Sequence, residues 1–450
     1  MKKNLSNLGK RKFRLQIVLF PTVLILLASL SYYAPTKSEQ VKVISTYPAT
    51  VCPALGNKVP SVASLTNSKI QRRLINGISK TLNSGKNSLI ALNNDALLVE
   101  GNPGTALTFV NSGWKSVVPC SVSNGEQWFA GGSGALTSKS FLYIINSGFS
   151  DSSVELQIYT PNGLIEPKSV VIPQNSTKKI SIDTLVPGED SIVIGVKTLS
   201  GRVSSYLLDE RKKGLKSLGA DFVSPVATAN KKVTIAGISG LTGKQISNVN
   251  SVAHTLRLLI PGTIDANIDV TINSNDGNFI PEGLAQFNIK NQRVLDIPLT
   301  FAPVNQPFSL IIDSDQPILA SVLSEFTFGK SKEIAWATGA DELSRWSINL
   351  SGSKPVLSFS GNKINVQISA TTINGKKIDK KITGTDFLVW NAPSGLNRLQ
   401  ITANSDGIFG GVIFFPEVGS IGSSYIPMNN GANLETASEP ISDASVISRG

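Results

Sequence analysis

Apolar and polar residues alternate along much of this chain. Ile268, Val270 and Ile272 alternate with Asp269 and Thr271, and Val154, Leu156 and Ile158 alternate with Glu155 and Gln157. A period of two is that of a strand with one face buried. The alternating runs are punctuated by turn-forming groups such as Pro161-Asn162-Gly163 and Asn275-Asp276-Gly277, which predicts six or more short strands per unit. No comparable stretch carries a sustained helical period.

The two runs are copies of each other. At an offset of 114, Leu142 matches Leu256, Gly148 matches Gly262, Asp151 matches Asp265, and Gly163 matches Gly277. With small indels the match extends to Ser181-Ile182 against Asp296-Ile297 and to residues 197–203 against 313–319. Each copy closes on a similar signature, Gly219-Ala220-Asp221 and Gly339-Ala340-Asp341. A third, shortened copy reads through Arg398 to Phe415, with Asn404-Ser405-Asp406 at the place of Asp313-Ser314-Asp315. A unit of roughly 115 residues is far longer than a solenoid repeat. The expected fold is all-β, tandem immunoglobulin-like β-sandwich modules, with an up-and-down barrel or a propeller-like arrangement as alternatives. The expected divisions are an N-terminal β module over 51–135 and repeats over 136–230, 231–345 and 346–428, then a polar, disordered tail over 429–450.

The N-terminus gives an address. Residues 1–14 carry Lys2, Lys3, Lys10, Arg11, Lys12 and Arg14, and residues 15–33 carry no charge. A basic cluster before an apolar run of bilayer-spanning length predicts a transmembrane signal anchor over 15–34, followed by a linker over 35–50. Secretion after signal cleavage is the alternative. The six basic residues supply more than half of the net charge of +11, leaving 11 − 6 = +5 for the rest. That mild excess is a solvated surface rather than a nucleic-acid footprint, and no nucleic-acid partner is expected.

Two cysteines, Cys52 and Cys120, precede the first clear repeat. In an exported chain such a pair predicts a disulfide, since neither CxxC spacing nor further metal ligands stand nearby. Between them, Ile70, Leu74, Ile78 and Leu82 recur at steps of four. A short amphipathic helix or a twisted strand pair fits that spacing, and the helix is the expectation. Trp114, Trp128 and Trp390 are candidate platforms for stacking sugars. The competing reading of a Trp flanked by alternating apolar residues is core.

Val51-Cys52-Pro53, Cys120 with Trp128-Phe129-Ala130-Gly131-Gly132, and the recurring "apolar strand, turn, Asp, alternating strand, Asn or Asp then Gly" over residues 50–428 resemble an uncharacterised family of secreted actinobacterial envelope proteins, known as a domain of unknown function. The Asn-Pro-Gly usual at its first turn is here Asn146-Ser147-Gly148 and Ile260-Pro261-Gly262. The resemblance implies an exported, membrane-associated, mostly β protein near envelope polysaccharide machinery. It carries over no catalytic residue.

Chemistry is sparse. His254 is the single histidine, which removes multi-His metal sites. Ser-x-x-Lys occurs at Ser176 to Lys179 and at Ser351 to Lys354 without the accompanying motifs of penicillin-binding enzymes. Asp313-Ser314-Asp315 reads as a hairpin turn, because the matching turn in the other copy is Lys197-Thr198-Leu199. No catalytic residue, cofactor or metal is expected. Residues shared by the copies build strands and turns, so the expectation is a non-enzymatic, membrane-anchored envelope scaffold of unknown partner. Alternatives are a protein that binds cell-wall polysaccharide and an unrecognised carboxylate-dependent hydrolase. A further envelope protein is the other candidate partner.

Overall fold

The computed structural model describes residues 49–429 apart from 57–60, 66–68, 76, 78–79, 84–87, 93, 101–103, 112, 137, 241–250, 301–305 and 416–421. The basic segment 1–14, the expected anchor 15–34, nearly all of the linker 35–50 and the tail beyond residue 429 lie outside the described residues. Among those described, no helix is long and apolar enough to cross a membrane.

The fold is all-β, and it is built from one eight-stranded pattern used four times. In the first module the strands are Thr50–Cys52, Ser61–Leu65, Lys69–Leu74, Lys80–Asn83, Ser88–Leu92, Leu97–Glu100, Ala106–Asn111 and Trp114–Pro119. They form two antiparallel sheets, one ordered first, sixth, third, fourth and the other fifth, second, seventh, eighth. The second module repeats this order. Glu126–Phe129, Val193–Ser200, Ser152–Thr160 and Lys168–Ile172 make one sheet, and Ser176–Ser181, Phe141–Asn146, Val203–Lys213 and Lys216–Val223 the other. This is a sandwich, but not of immunoglobulin order, in which the sheets are ABED and CFG.

The later modules keep the topology and fuse strands. In the third, Phe308–Phe328 is both sixth and seventh strand: its first half pairs with Asn230–Ile238 and Ala266–Ser274, its second half with Ser251–Leu259 and Ser331–Thr338. In the fourth, Val356–Thr372 is second and third strand together, and Lys377–Asn391 is fourth and fifth. The region 346–428 is therefore a full copy rather than a shortened one. Asp313-Ser314-Asp315 stands where a strand passes from one sheet to the other, not in a hairpin turn. The same crossing in the second module is broken at Gly201, where φ is +78° and a Cβ would meet Ser152.

Four further expectations change. Lys69–Leu74 and Lys80–Asn83 are paired strands, not a helix; a spacing of four residues is also two strand periods, so it does not discriminate. Glu126–Phe129 pairs with Val193–Ser200, so the second module begins before residue 135. Leu142 faces Ile180 where Leu256 faces Ile297, which makes Ile180, not Ile182, the counterpart of Ile297. Finally, Leu207 faces Val223 where Val322 faces Ala337. Asp221 therefore matches Ala335, and the Gly-Ala-Asp signatures are not equivalent.

The modules close on one another. The eighth strands Trp114–Pro119, Lys216–Val223, Ser331–Thr338 and Ser424–Pro427 pack successively, and the fourth packs against the first. Each sends a large side chain into the core of the preceding module: Phe222, with Ala220, enters the first core, Trp336, with Ile334, the second, and Tyr425 the third. Val117, from the first module, enters the fourth. The result is a cyclic set of four plugs and sockets, each large buried side chain contributing about 1.5–3 kcal/mol. The Cys52–Cys120 disulfide ties the first strand of the first module to the segment after its eighth. There the backbone bridge Val51 to Ser121 recurs as Trp128 to Val226 and Thr234 to Ala340 in the next two modules.

Candidate functional site

The position preceding each plug residue is equivalent in the four modules, and in three of them it meets its counterparts where the eighth strands pack together. Those positions are Ser116, Asp221, Ala335 and Ser424. Asp221 is fully buried. Its Oδ1 accepts the Ser116 hydroxyl at 2.5 Å and the Ser424 hydroxyl at 2.8 Å, and its Oδ2 accepts the Trp336 backbone N–H at 2.9 Å. One carboxylate thus takes hydrogen bonds from the other three modules. Burial pushes its pKa up to about 7, against the lowering effect of those donors.

Glu333 lies beside it, equally buried. Its Oε1 accepts the backbone N–H of Ala220 at 3.0 Å and of Ile334 at 3.1 Å. Burial, and secondarily the neighbouring Asp221, raise its pKa well above the ordinary carboxyl value. Gly219 makes room for it: a Cβ there would fall 2.6 Å from the Glu333 Cα.

A second polar network joins the second and third modules around Trp336. Asp209 accepts Ser138 and Ser140 hydroxyls, each at 2.9 Å, on Oδ1, and Arg211 Nε at 3.1 Å and the Trp336 indole N–H at 3.0 Å on Oδ2. Burial raises the Asp209 pKa, but the Arg211 charge and these donors outweigh it and hold it below the usual carboxylate range. Arg257 lies over the Trp336 ring, 5.0 Å from its centre. It clasps Asp296 with two hydrogen bonds of 2.8 Å and caps the Gly132 and Ile192 carbonyls. Every one of these charges is paired, as buried charges must be.

Where the eighth strands end, the axis opens into a cavity of about 130 Å³. Residues from all four modules line it, among them Val118, Val226, Asp341 and Ile426, with Gln127, Tyr206 and Trp346 in its walls. The Tyr206 hydroxyl accepts the Ser121 N–H at 2.7 Å and donates to the Val51 carbonyl at 2.5 Å. Burial raises its pKa to about 12, so it stays a neutral donor.

The tryptophans do not supply sugar platforms. Trp114, Trp128 and Trp390 are 2%, 6% and 7% exposed, in the first core, the seam between second and third modules, and the fourth core respectively. The Trp128 indole N–H is also satisfied, by Glu126 at 2.8 Å. His254 is buried against Phe308, with Nδ1 2.9 Å from the Ser324 hydroxyl, and burial lowers its pKa to about 4. The axial residues were hidden from sequence reasoning because Ser, Asp, Ala and Ser share no chemistry. Only the register of four strands shows that they are one position.

No metal-binding cluster of His, Cys, Asp and Glu occurs among the described residues. No curated protein matches the chain. A solved structure, "Crystal structure of tetra-tandem repeat in extending region of large adhesion protein", is 10% identical over 84% of this chain and 93% of that one, with a TM-score of 0.09; a score that low establishes no common fold. The family model described as "Family of unknown function (DUF5719)" matches residues 115–383, more than half of the chain. The chain belongs to the DUF5719 family of unknown function.

Proposed function

We propose that this protein is a non-enzymatic, extracytoplasmic scaffold, held at the membrane by residues 15–34, whose ring of sandwiches presents loops and an axial mouth to a partner. The observation that carries the reading is how the four copies use their eighth strands. Of the residues that distinguish one copy from the next at this position, Ser116, Asp221 and Ser424 bond to one another, and none of them faces solvent. The buried acids Asp209, Asp221 and Glu333 serve seams between modules. A disulfide in the first module suits an oxidising compartment. The burial of all three candidate tryptophans weighs against glycan stacking as the alternative.

The test is thiol trapping in cells, with quenching and denaturation before labelling. Oxidised Cys52 and Cys120 in a membrane fraction, and release of the chain when residues 15–34 are deleted behind a cleavable signal, are expected. Reduced cysteines in a cytoplasmic fraction would sink the reading. Retention of the ectodomain on purified wall polysaccharide would replace it with glycan binding.

A further inference from the structure

The described chain begins at Ala49, at the seam of the first and second modules. Ala49 lines a hollow of about 300 Å³ together with Ser123, Asn124, Ser147, Thr198 and Arg202. Two apolar side chains next to that lining stand in solvent. Phe149, two residues on from Ser147, is 79% exposed, more than any other described aromatic side chain, and Leu199, following Thr198, is 51% exposed. Val171, 55% exposed, belongs to the same end of the sandwich, because Val171 and Ser200 pair with Ser153 from its two sides. The Phe149 ring is held in place. The Arg73 guanidinium lies 5.2 Å from its centre and is itself fixed by the Ile75 and Ser147 carbonyls and the Asn175 side chain. Scattered exposed apolar residues need no explanation, but a group of them at the point where the chain enters the fold does.

We propose that this end of the second module, around Phe149, rests in the surface of the lipid bilayer that holds residues 15–34. The inference rests on the anchor reading and adds to it the face that the ring turns to the membrane. Residues 35–48 lie between the anchor and Ala49. Fully extended, a chain of that length spans at most roughly 50 Å, and a flexible one averages about 20 Å. The end of the fold bearing Ala49 is therefore kept near the lipid, and a weak contact there gains from a high effective concentration. The chemistry suits an interface: Phe149, Leu199 and Val171 reach the acyl boundary, while Arg73, Arg202 and the hydroxyls of the hollow meet headgroups. Asp151, the acid of the same loop, accepts the Gln174 backbone N–H at 3.0 Å. A sugar would find one face of the Phe149 ring already taken by Arg73, and Leu199 and Val171 offer it no side-chain hydrogen bond.

The experiment uses the full oxidised chain in nanodiscs of phosphatidylcholine and phosphatidylglycerol, with and without bromine on the acyl chains. Phe149→Trp reports on the proposed face, and Leu215→Trp is the control. Leu215 is fully exposed in the turn after Val203–Lys213, and the 11 residues of that strand carry it roughly 35 Å from Arg202. The native tryptophans are buried, and their emission is subtracted with the native chain in the same discs. Brominated lipid is expected to remove most of the emission added by Phe149→Trp and none of that added by Leu215→Trp. Equal quenching of the two, or no quenching of Phe149→Trp, would overturn the proposal. Unquenched but blue-shifted emission from Phe149→Trp would overturn it by giving the face to a second copy of the chain. Flotation of the native chain with liposomes separates the two readings. A chain that floats while Phe149→Trp stays unquenched loses only the lipid-facing surface, whereas a chain that does not float loses the anchor and this inference with it.

Discussion

Ser116 and Asp221 occupy the same position in two copies of one strand, and they are hydrogen-bonded to each other at 2.5 Å. Duplication brought the same strand position of three modules to one point, and divergence made one of these side chains an acceptor and two of them donors. A carboxylate at all four positions would have been untenable without solvent. A single buried one, ringed by two hydroxyls and a backbone N–H, is tolerated at the expense of a raised pKa.

That pKa has a signature in stability. The folded value of about 7 lies above the ordinary aspartate value of 3.8, so the folded state holds the proton through that interval. The contribution is complete below about pH 3.8 and is lost as pH rises through about 7. His254 runs the other way: its value falls from 6.5 to about 4, and its contribution is present above 6.5 and lost as pH falls through 4. The two oppose each other in the native protein, so a variant is needed to see either. The unfolding free energy of the native chain minus that of Asp221→Asn should decline by at most roughly 4 kcal/mol from pH 4 to pH 7. Parallel curves for the two proteins would show that Asp221 does not titrate in this range.

Val117 belongs to the first module by chain and to the fourth by packing. Val117→Asp should cost about 3 kcal/mol or more by burying a charge without a partner. The location of the damage is the sharper reading. Hydrogen exchange should accelerate in Val356–Thr372 and Leu396–Ala403, far along the sequence, more than in Ser61–Leu65. Damage confined to the first module would contradict ring closure.

Gly411 touches the third module so closely that an added Cβ would lie 2.0 Å from the Ala236 carbonyl oxygen. Backbone cannot step aside as a side chain can. Gly411→Ala should destabilise by about 1–3 kcal/mol or more, whereas Gly262→Ala, with open space around it, should stay within about 0.5 kcal/mol of the native chain. Urea denaturation of both variants decides it.

Replacing Cys52 and Cys120 by serine removes a cross-link between residues 68 apart in sequence. A loss of about 2–5 kcal/mol is expected. Since the first module receives Phe222 and supplies Val117, loosening it should lower protection at both seams. An unchanged urea midpoint would mean that the backbone bridge from Val51 to Ser121 suffices alone.

The strands of the second and third modules were legible because their buried faces alternate over six to nine residues, as at Val154 and Ile268. The first module was not legible as a copy, because strands such as Thr50–Cys52 are too short to carry a pattern. Fusion of strands was also invisible. A chain crossing between sheets, as at Asp313, shows the same polar residues as one that reverses in a hairpin. At the axis the difficulty is of another kind. Trp336 reads as a core residue and is one, yet its indole N–H serves Asp209 and its backbone serves Asp221. Two further buried positions, Gln127 and Trp346, look like ordinary strand residues until the cavity that unites them is seen.

The seam between Val117 and the fourth core joins the first module to the last. A chain is made N-terminus first, and Val117 emerges long before the residues of the core that will receive it. Until Ser424–Pro427 arrives, the first sandwich has one flank uncovered and the axial carboxylate lacks the Ser424 donor. Closing the ring therefore means closing a loop that runs from the first module to the fourth, at a cost in chain entropy. In the meantime the Cys52–Cys120 bond gives the waiting module a covalent clasp.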